Sequence, residues 1–295
     1  MNENLFDRVF RDADPSRLLI ETSDGRKISY GDTIALSGQF ANALTARGVA
    51  PGDRVAVQTD KTPEILIFYL ACLRAGAVYL PLNTAYTLAE LDYFIGDAEP
   101  KLIVATPEKQ AGLADIAARV GATVETMDAS GNGSLMDLAA SQPSDFATVE
   151  RQGSDLAAIL YTSGTTGRSK GAMLTHDNLV SNALALVETW HFTGDDVLLH
   201  ALPIYHTHGL FVATNTVLFS SASMLFLPKF DADAVMALLP RASVLMGVPT
   251  FYTRLVKPPG LSRETAAHMR LFVSGSAPLL AETHRDFEAL TGHAI

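Results

Sequence analysis

From Asp53 onward the chain alternates short apolar runs with helix-patterned segments, and few folds accept that order. "DRVAVQT" is followed by "PEILIFYLACLRAG", "AVYLPLN" by "TLAELDYFIGDA", and "KLIVA" by a helix from about Pro107. Parallel strands need a crossover between them, and a helix is the usual crossover. The alternation therefore implies an α/β fold of βαβ units with buried, mainly parallel sheets. Proline at the start of two of these helices and Gly76 at the end of one fit helix punctuation. Upstream, "RLLIET", "SDGR" and "KISY" read as a hairpin, followed by a helix on which Leu36, Phe40 and Ala43 recur at helical spacing. The stretch at about 128–154, "DASGNGSLMDLAASQPSDFATVERQGSD", is rich in small and polar residues. A subdomain boundary is expected there. Alternation resumes with "DLAAILYT" and continues through "DDVLLHAL", "SMLFLP", "SVLMGV" and "LFVSGS".

With 295 residues, 48% of them hydrophobic, the chain can bury a large core in one big domain or two smaller ones. Its 32 acids against 22 bases give a net charge of -10, which disfavours nonspecific binding to nucleic acid or anionic membranes. An anionic ligand would need local bases. The N-terminus "MNENLFDRVFRDADPSR" lacks the apolar run of a signal peptide, and "ILIFYLACL", the longest apolar stretch, is far too short to span a bilayer. A cytoplasmic protein is expected. Its single cysteine, Cys72, lies in that stretch and reads as a buried core thiol.

The densest chemistry is in "YTSGTTGRSKG", residues 161–171, between the buried strand "LAAILYT" and a second strand, "GAMLTH". Gly164, Gly167 and Gly171 permit backbone conformations that turn amides toward an anion. Thr162, Ser163, Thr165, Thr166 and Ser169 add hydroxyl donors, and Arg168 and Lys170 add positive charge. A hairpin turn alone would need far fewer residues. A Walker A loop needs Gly-Lys-Ser/Thr after four intervening residues, whereas Ser169 occupies the second glycine position and Gly171 the hydroxyl position. The stretch reads as a phosphate cradle of another kind.

Two further segments stand out. In "HALPIYHTHGLF", His206 and His208 read as metal ligands, core residues or helix-start residues; at i,i+2 on a helix they would point in different directions, which argues against a paired metal site. "LFVSGSAPL" is a buried strand ending in small residues, with Pro278 opening the next helix; ligands of open α/β sheets gather at the carboxyl ends of strands. In that helix, "LLAETHRDFEAL", Leu280, His284, Phe287 and Leu290 or Thr291 form the approximate inward stripe and Arg285 falls off it, which reads as a solvated arginine near Glu282 and Glu288.

The run from Ile159 to Lys170 resembles the AMP-binding signature of the adenylate-forming superfamily and matches it at every constrained position, with Ser169 where many members have proline. "LPIYHTHGLF" and "SGSAPL" resemble the next two motifs. Together with "LPLNTAYTLAELDYFI" and "MGVPTFYTRL" they are similar to the malonate–CoA ligase branch over essentially the whole chain. The resemblance implies that ATP, Mg²⁺, malonate and coenzyme A are the ligands. The phosphates would lie against residues 162–170, with Lys170 as the charged member. His206 would contact the acyl carboxylate. Gly275, Ser276, Ala277 and Pro278 would line the adenine and acyl pocket, and Arg285, with His206 and Ser276 nearby, would grip malonate's far carboxylate. Acetate, methylmalonate and aryl acids remain open as substrates, as do a P-loop phosphotransferase and a nucleotide-binding module without catalysis. The resemblance also implies an incomplete N-terminal AMP-binding domain over 1–295, because the family's Mg²⁺-placing glutamate, hinge and small C-terminal domain with its adenylation lysine would follow "TGHAI".

Overall fold

A computed structural model describes residues 2–162 and 169–295. Helix α1 (Leu5–Phe10) is followed by strands β1 (Leu18–Thr22) and β2 (Lys27–Ser29) and by α2 (Tyr30–Ala46). The expected alternation then runs through β3 (Arg54–Gln58), α3 (Pro63–Arg74), β4 (Val78–Pro81), α4 (Leu88–Ala98), β5 (Leu102–Ala105) and α5 (Pro107–Val120). Next come β6 (Thr123–Thr126), α6 (Ser134–Ala140), β7 (Leu156–Thr162), β8 (Lys170–Thr175) and α7 (His176–Thr189). The last third holds β9 (Val197–His200), α8 (Asn215–Phe219), β10 (Ser223–Phe226), α9 (Ala232–Leu238), β11 (Val244–Gly247), α10 (Pro249–Leu255), β12 (Leu271–Ser274) and α11 (Ala281–Thr291).

Local chemistry sets these limits. Thr62 caps α3 by accepting from the Ile65 N–H, and Pro63 takes the first helical position, where its missing N–H costs nothing. Thr87 and Glu90 form a reciprocal capping box on α4, and Gly121 ends α5 in the left-handed conformation. Helix α3 is buried on every side and packs against α1, α2 and β4, which explains why its sequence shows no polar face. Cys72 lies within it, fully buried, and burial pushes its thiol pKa up, as a core role requires.

The chain forms two compact units. The first, residues 1–15 and 30–181, contains a six-stranded sheet of order β6-β5-β3-β4-β7-β8, parallel except for the antiparallel β7–β8 pair. The second, residues 16–29 and 182–295, has the order β12-β11-β9-β10-β1-β2, parallel except for the β1–β2 hairpin.

Two expectations are corrected. The units do not divide at 128–154: that stretch lies inside the first unit. Its carbonyls are held there by side chains, Asn42 Nδ2 donating to Pro143 and Asp145 (both 2.9 Å) and Arg74 Nη2 to Phe146 (2.6 Å). Its small, polar composition marks a connection tied to a surface, which has the same sequence signature as a linker. Pro278 does not open a helix either, since α11 begins at Ala281.

His176, at the start of α7, is fully buried, and its Nδ1 accepts the Leu5 N–H at 3.1 Å. Burial lowers its pKa to about 4 from the ordinary 6.5, with Arg151 adding to the effect and Asp155 opposing it. The folded-state pKa lies below the unfolded one, so this contribution to stability is whole above pH 6.5 and is lost as pH falls toward 4. The shift from 6.5 to about 4 corresponds to at most about 3 kcal/mol, of which about 2 is lost by pH 5. Urea unfolding at pH 7 and pH 5 should show that loss, and His176→Asn, which keeps an acceptor but cannot titrate, should flatten it. An equal pH dependence in the variant would assign the loss to other groups.

Candidate functional site

The second unit has a topological switch point. Among β9 to β12, which run parallel, β9 comes first in the chain, β10 is added on one side of it, and β11 and then β12 on the other. Connections leaving a sheet to opposite sides open a crevice at the strands' carboxyl ends, where ligands of open α/β sheets bind. A cavity of about 390 Å³ lies there. Leu202, Pro203 and His206 to Gly209 line it beyond β9, Val248 beyond β11 and Ser276 beyond β12. No Lys, Arg, Asp or Glu is among these residues.

The polar wall consists of two imidazoles and two hydroxyls, from His206, His208, Thr207 and Ser276. His208 starts a seven-residue π-helical segment, His208–Thr214, a geometry common at functional sites. The Gly209 carbonyl inside that segment accepts from His200 Nε2 at 2.9 Å and from Thr214 Oγ1 at 3.0 Å. A side chain at residue 209 would have no room, because its Cβ would stand 2.1 Å from the Pro203 carbonyl oxygen. Gly275 serves His208 in the same way: a Cβ there would come within 2.9 Å of the ring's Cε1. Ser276 next to it adopts a left-handed backbone, φ 68°, and its Oγ lies 3.4 Å from His208 Nδ1. A non-glycine residue in that region stores strain, which clusters at functional sites. Burial lowers the pKa of both His206 and His208, so both rings are neutral at pH 7, each offering one N–H donor and one acceptor nitrogen.

His206 and Ser276 thus come together as the sequence suggested, with Gly275 beside them. The inference that His206 and His208 diverge is corrected: the helical segment begins only at His208, so helical phase does not apply to the pair, and both line the cavity. His208 was the residue missed as a site member, although the "HTHGLF" run contains it. Ala277 and Pro278 are exposed and outside the lining. Arg285 is exposed on α11, off the buried positions Thr283, Phe287 and Thr291, and does not line the cavity. Leu280, read as inward, is 66% exposed, and Leu290 is also exposed. Among the described residues no group of three or more His, Cys, Asp or Glu comes together as a metal site.

In the first unit, Thr162 at the end of β7 and Lys170 at the start of β8 are register partners across the hairpin, and both are exposed. Ser169 is half-buried. Ser163, Gly164, Thr165, Thr166, Gly167 and Arg168 lie outside the described residues. No helix among the described residues is long and apolar enough to cross a membrane.

Known proteins share this arrangement. The chain is 65% identical to MatB from Rhodopseudomonas palustris, with a TM-score of 0.98 over 100% of this chain and 59% of that one; the same values hold for the ATP-bound form of that protein. It is 30% identical to a malonate–CoA ligase of Arabidopsis thaliana, covering 99% of this chain and 54% of the relative. It is also 31% identical to a feruloyl-CoA synthase of Amycolatopsis, covering 88% and 51%. The chain spans about half the length of the curated relatives it matches. Residues 8–295 match the AMP-binding enzyme family, and the chain belongs to that family.

Proposed function

We propose that this chain carries the nucleotide- and acid-binding part of an ATP-dependent malonate–CoA ligase. The observation that carries the reading is the match to a malonate–CoA ligase along 99% of the chain, and the cavity at the carboxyl ends of β9, β11 and β12 is its geometric counterpart. In the reaction a malonate carboxylate oxygen attacks the α-phosphorus of ATP, forming malonyl-adenylate and releasing pyrophosphate. The thiol sulfur of coenzyme A then attacks the acyl carbon, AMP leaves and the thiol proton is released. Lys170 supplies a compact charge to the phosphates. The neutral rings of His206 and His208 and the Ser276 hydroxyl hold the acid by hydrogen bonds. Gly275 to Pro278 form the wall between adenine and acyl group, and Arg285 meets the second carboxylate with paired hydrogen bonds. Where bound, Mg²⁺ would neutralise phosphate charge. The setting proposed is cytoplasmic, and the pathway is fatty acid metabolism.

A second reading keeps the chemistry and changes the acid. Among the described residues no cation lines the cavity, and Arg285 is exposed outside it, which favours a monocarboxylic or aryl acid, in line with the feruloyl-CoA synthase relative. Kinetics of the native-length protein with malonate, acetate and ferulate separate the two.

The native-length protein given ATP, malonate and coenzyme A should release AMP and pyrophosphate. ADP would indicate phosphotransfer instead, and ATP binding without turnover a module without catalysis. Lys170→Ala should slow malonate-dependent pyrophosphate release about 100-fold, the usual order for removing one electrostatic contact to a transition state. Unchanged release would remove Lys170 from the site. Arg285→Ala should lower kcat/KM for malonate by about 10- to 100-fold, the worth of hydrogen bonds to a charged group, and should change that for acetate much less. Equal losses would make Arg285 structural.

A further inference from the structure

Helix α4 holds both stems of the β7–β8 hairpin. On the outgoing stem the Tyr93 hydroxyl donates to the Ser169 carbonyl at 2.8 Å. On the incoming stem the Tyr161 hydroxyl donates to the Asp97 carboxylate at 2.5 Å. Tyr93 and Asp97 are four residues apart and so share one face of α4. Between them, aromatic rings fill the space against the hairpin: Phe94 and Tyr161 have centroids 4.6 Å apart, Tyr93 and Phe94 5.4 Å.

The two bonds fall at a particular place. Among the described residues the last pair of the ladder between β7 and β8 is Thr162 and Lys170. Tyr161 immediately precedes Thr162, and Ser169 immediately precedes Lys170. Strand β8 is the last in its sheet, with β7 as its one neighbour, and Ser169 lies beyond the ladder altogether. The Tyr93 bond gives the backbone leading into Lys170 a second fixed point beside the pairing of Lys170 with Thr162. A bond needed only to stabilise the sheet would act within the ladder. This one acts on the residue immediately before Lys170.

We propose that Tyr93 and Asp97 are positioning residues that set Lys170 for the nucleotide phosphates, an assignment that rests on the ATP-binding reading above. Fixing a ligand group from a rigid helix reduces the ordering that binding would otherwise require.

The test uses the native-length protein. Tyr93→Phe removes one hydroxyl and keeps the ring; it should raise the KM for ATP about five- to tenfold, the worth of one hydrogen bond, with the KM for the acid within about twofold. Asp97→Ala should act alike from the other stem, and Asp97→Asn, whose amide oxygen still accepts from Tyr161, should recover most of the loss. In a Lys170→Ala background Tyr93→Phe should cost less than about twofold, because groups that act through one another are not additive. An ATP KM unchanged in both Tyr93→Phe and Asp97→Ala, an equal rise in the KM for the acid, or full additivity with Lys170→Ala would overturn the proposal. If the wild-type protein itself fails to bind ATP, the functional reading has failed and the assignment falls with it, a result distinct from wild-type binding that the variants leave untouched.

Discussion

Parallel strand pairing is the constraint on which both units depend. A parallel neighbour can be reached only by a crossover, so successive strands deliver their carboxyl ends to one edge of the sheet. In the second unit β9 receives β10 on one side and β11 on the other, and the connections diverge at that point. The chain leaving β9 stays irregular to Thr207 before the segment from His208 begins. Those residues, with Val248 and Ser276 from the neighbouring strand ends, make the cavity. Its position follows from strand order, and its chemistry from the residues standing at the ends.

That chemistry is polar without being charged. A carboxylate entering an uncharged cavity loses water and must regain its hydrogen bonds from the wall. Neutral imidazoles and the Ser276 hydroxyl can donate them without neutralising the carboxylate, which in the proposed reaction would keep the negative charge with which it attacks phosphorus. A second carboxylate changes the balance, because burying another negative charge without a cation is costly. Under the proposed function, discrimination between a dicarboxylate and a monocarboxylate would therefore depend on compensating charge more than on shape, and Arg285, exposed outside the lining, would be the residue to supply it.

Much of this was legible in the sequence because alternation, caps and strand-end glycines are local signals. The βαβ series from Arg54, the early hairpin and the buried α3 follow from periodicity and punctuation. Strand β6, only four residues long with its first two positions exposed or half-buried, carries too weak an apolar run to be read. The division into units was illegible for a different reason: β1 and β2 come early in the chain but pair beside β10, and no local pattern encodes a partner two hundred residues away. His208 was set aside through a helical phase that the backbone does not have at residue 206. The stripe on α11 was misjudged because Thr283 and Thr291, polar by composition, take buried positions that Leu280 and Leu290 leave.

One device recurs where strands end. His200 on β9 donates to the Gly209 carbonyl, Tyr252 on α10 to the Val273 carbonyl at 2.7 Å, and Tyr93 on α4 to the Ser169 carbonyl. In each case a ring in a regular element donates to a backbone oxygen: that of Gly209, next to His208 of the cavity wall, that of Val273, two residues before Gly275, and that of Ser169, next to Lys170. Val273 lies within the β11–β12 ladder opposite Met246 and Gly209 within the π-helical segment, so there the ring adds a second hold on regular backbone, whereas Ser169 immediately precedes β8. An aromatic donor suits this task because its ring is held by packing while its polar edge makes one directed bond. The sheets bring the strand ends together, but only to within the freedom of a loop. The rings fix single carbonyls there, and Gly209 and Gly275, where a Cβ would stand 2.1 Å from the Pro203 carbonyl oxygen and 2.9 Å from His208 Cε1, let the backbone approach its neighbours closely.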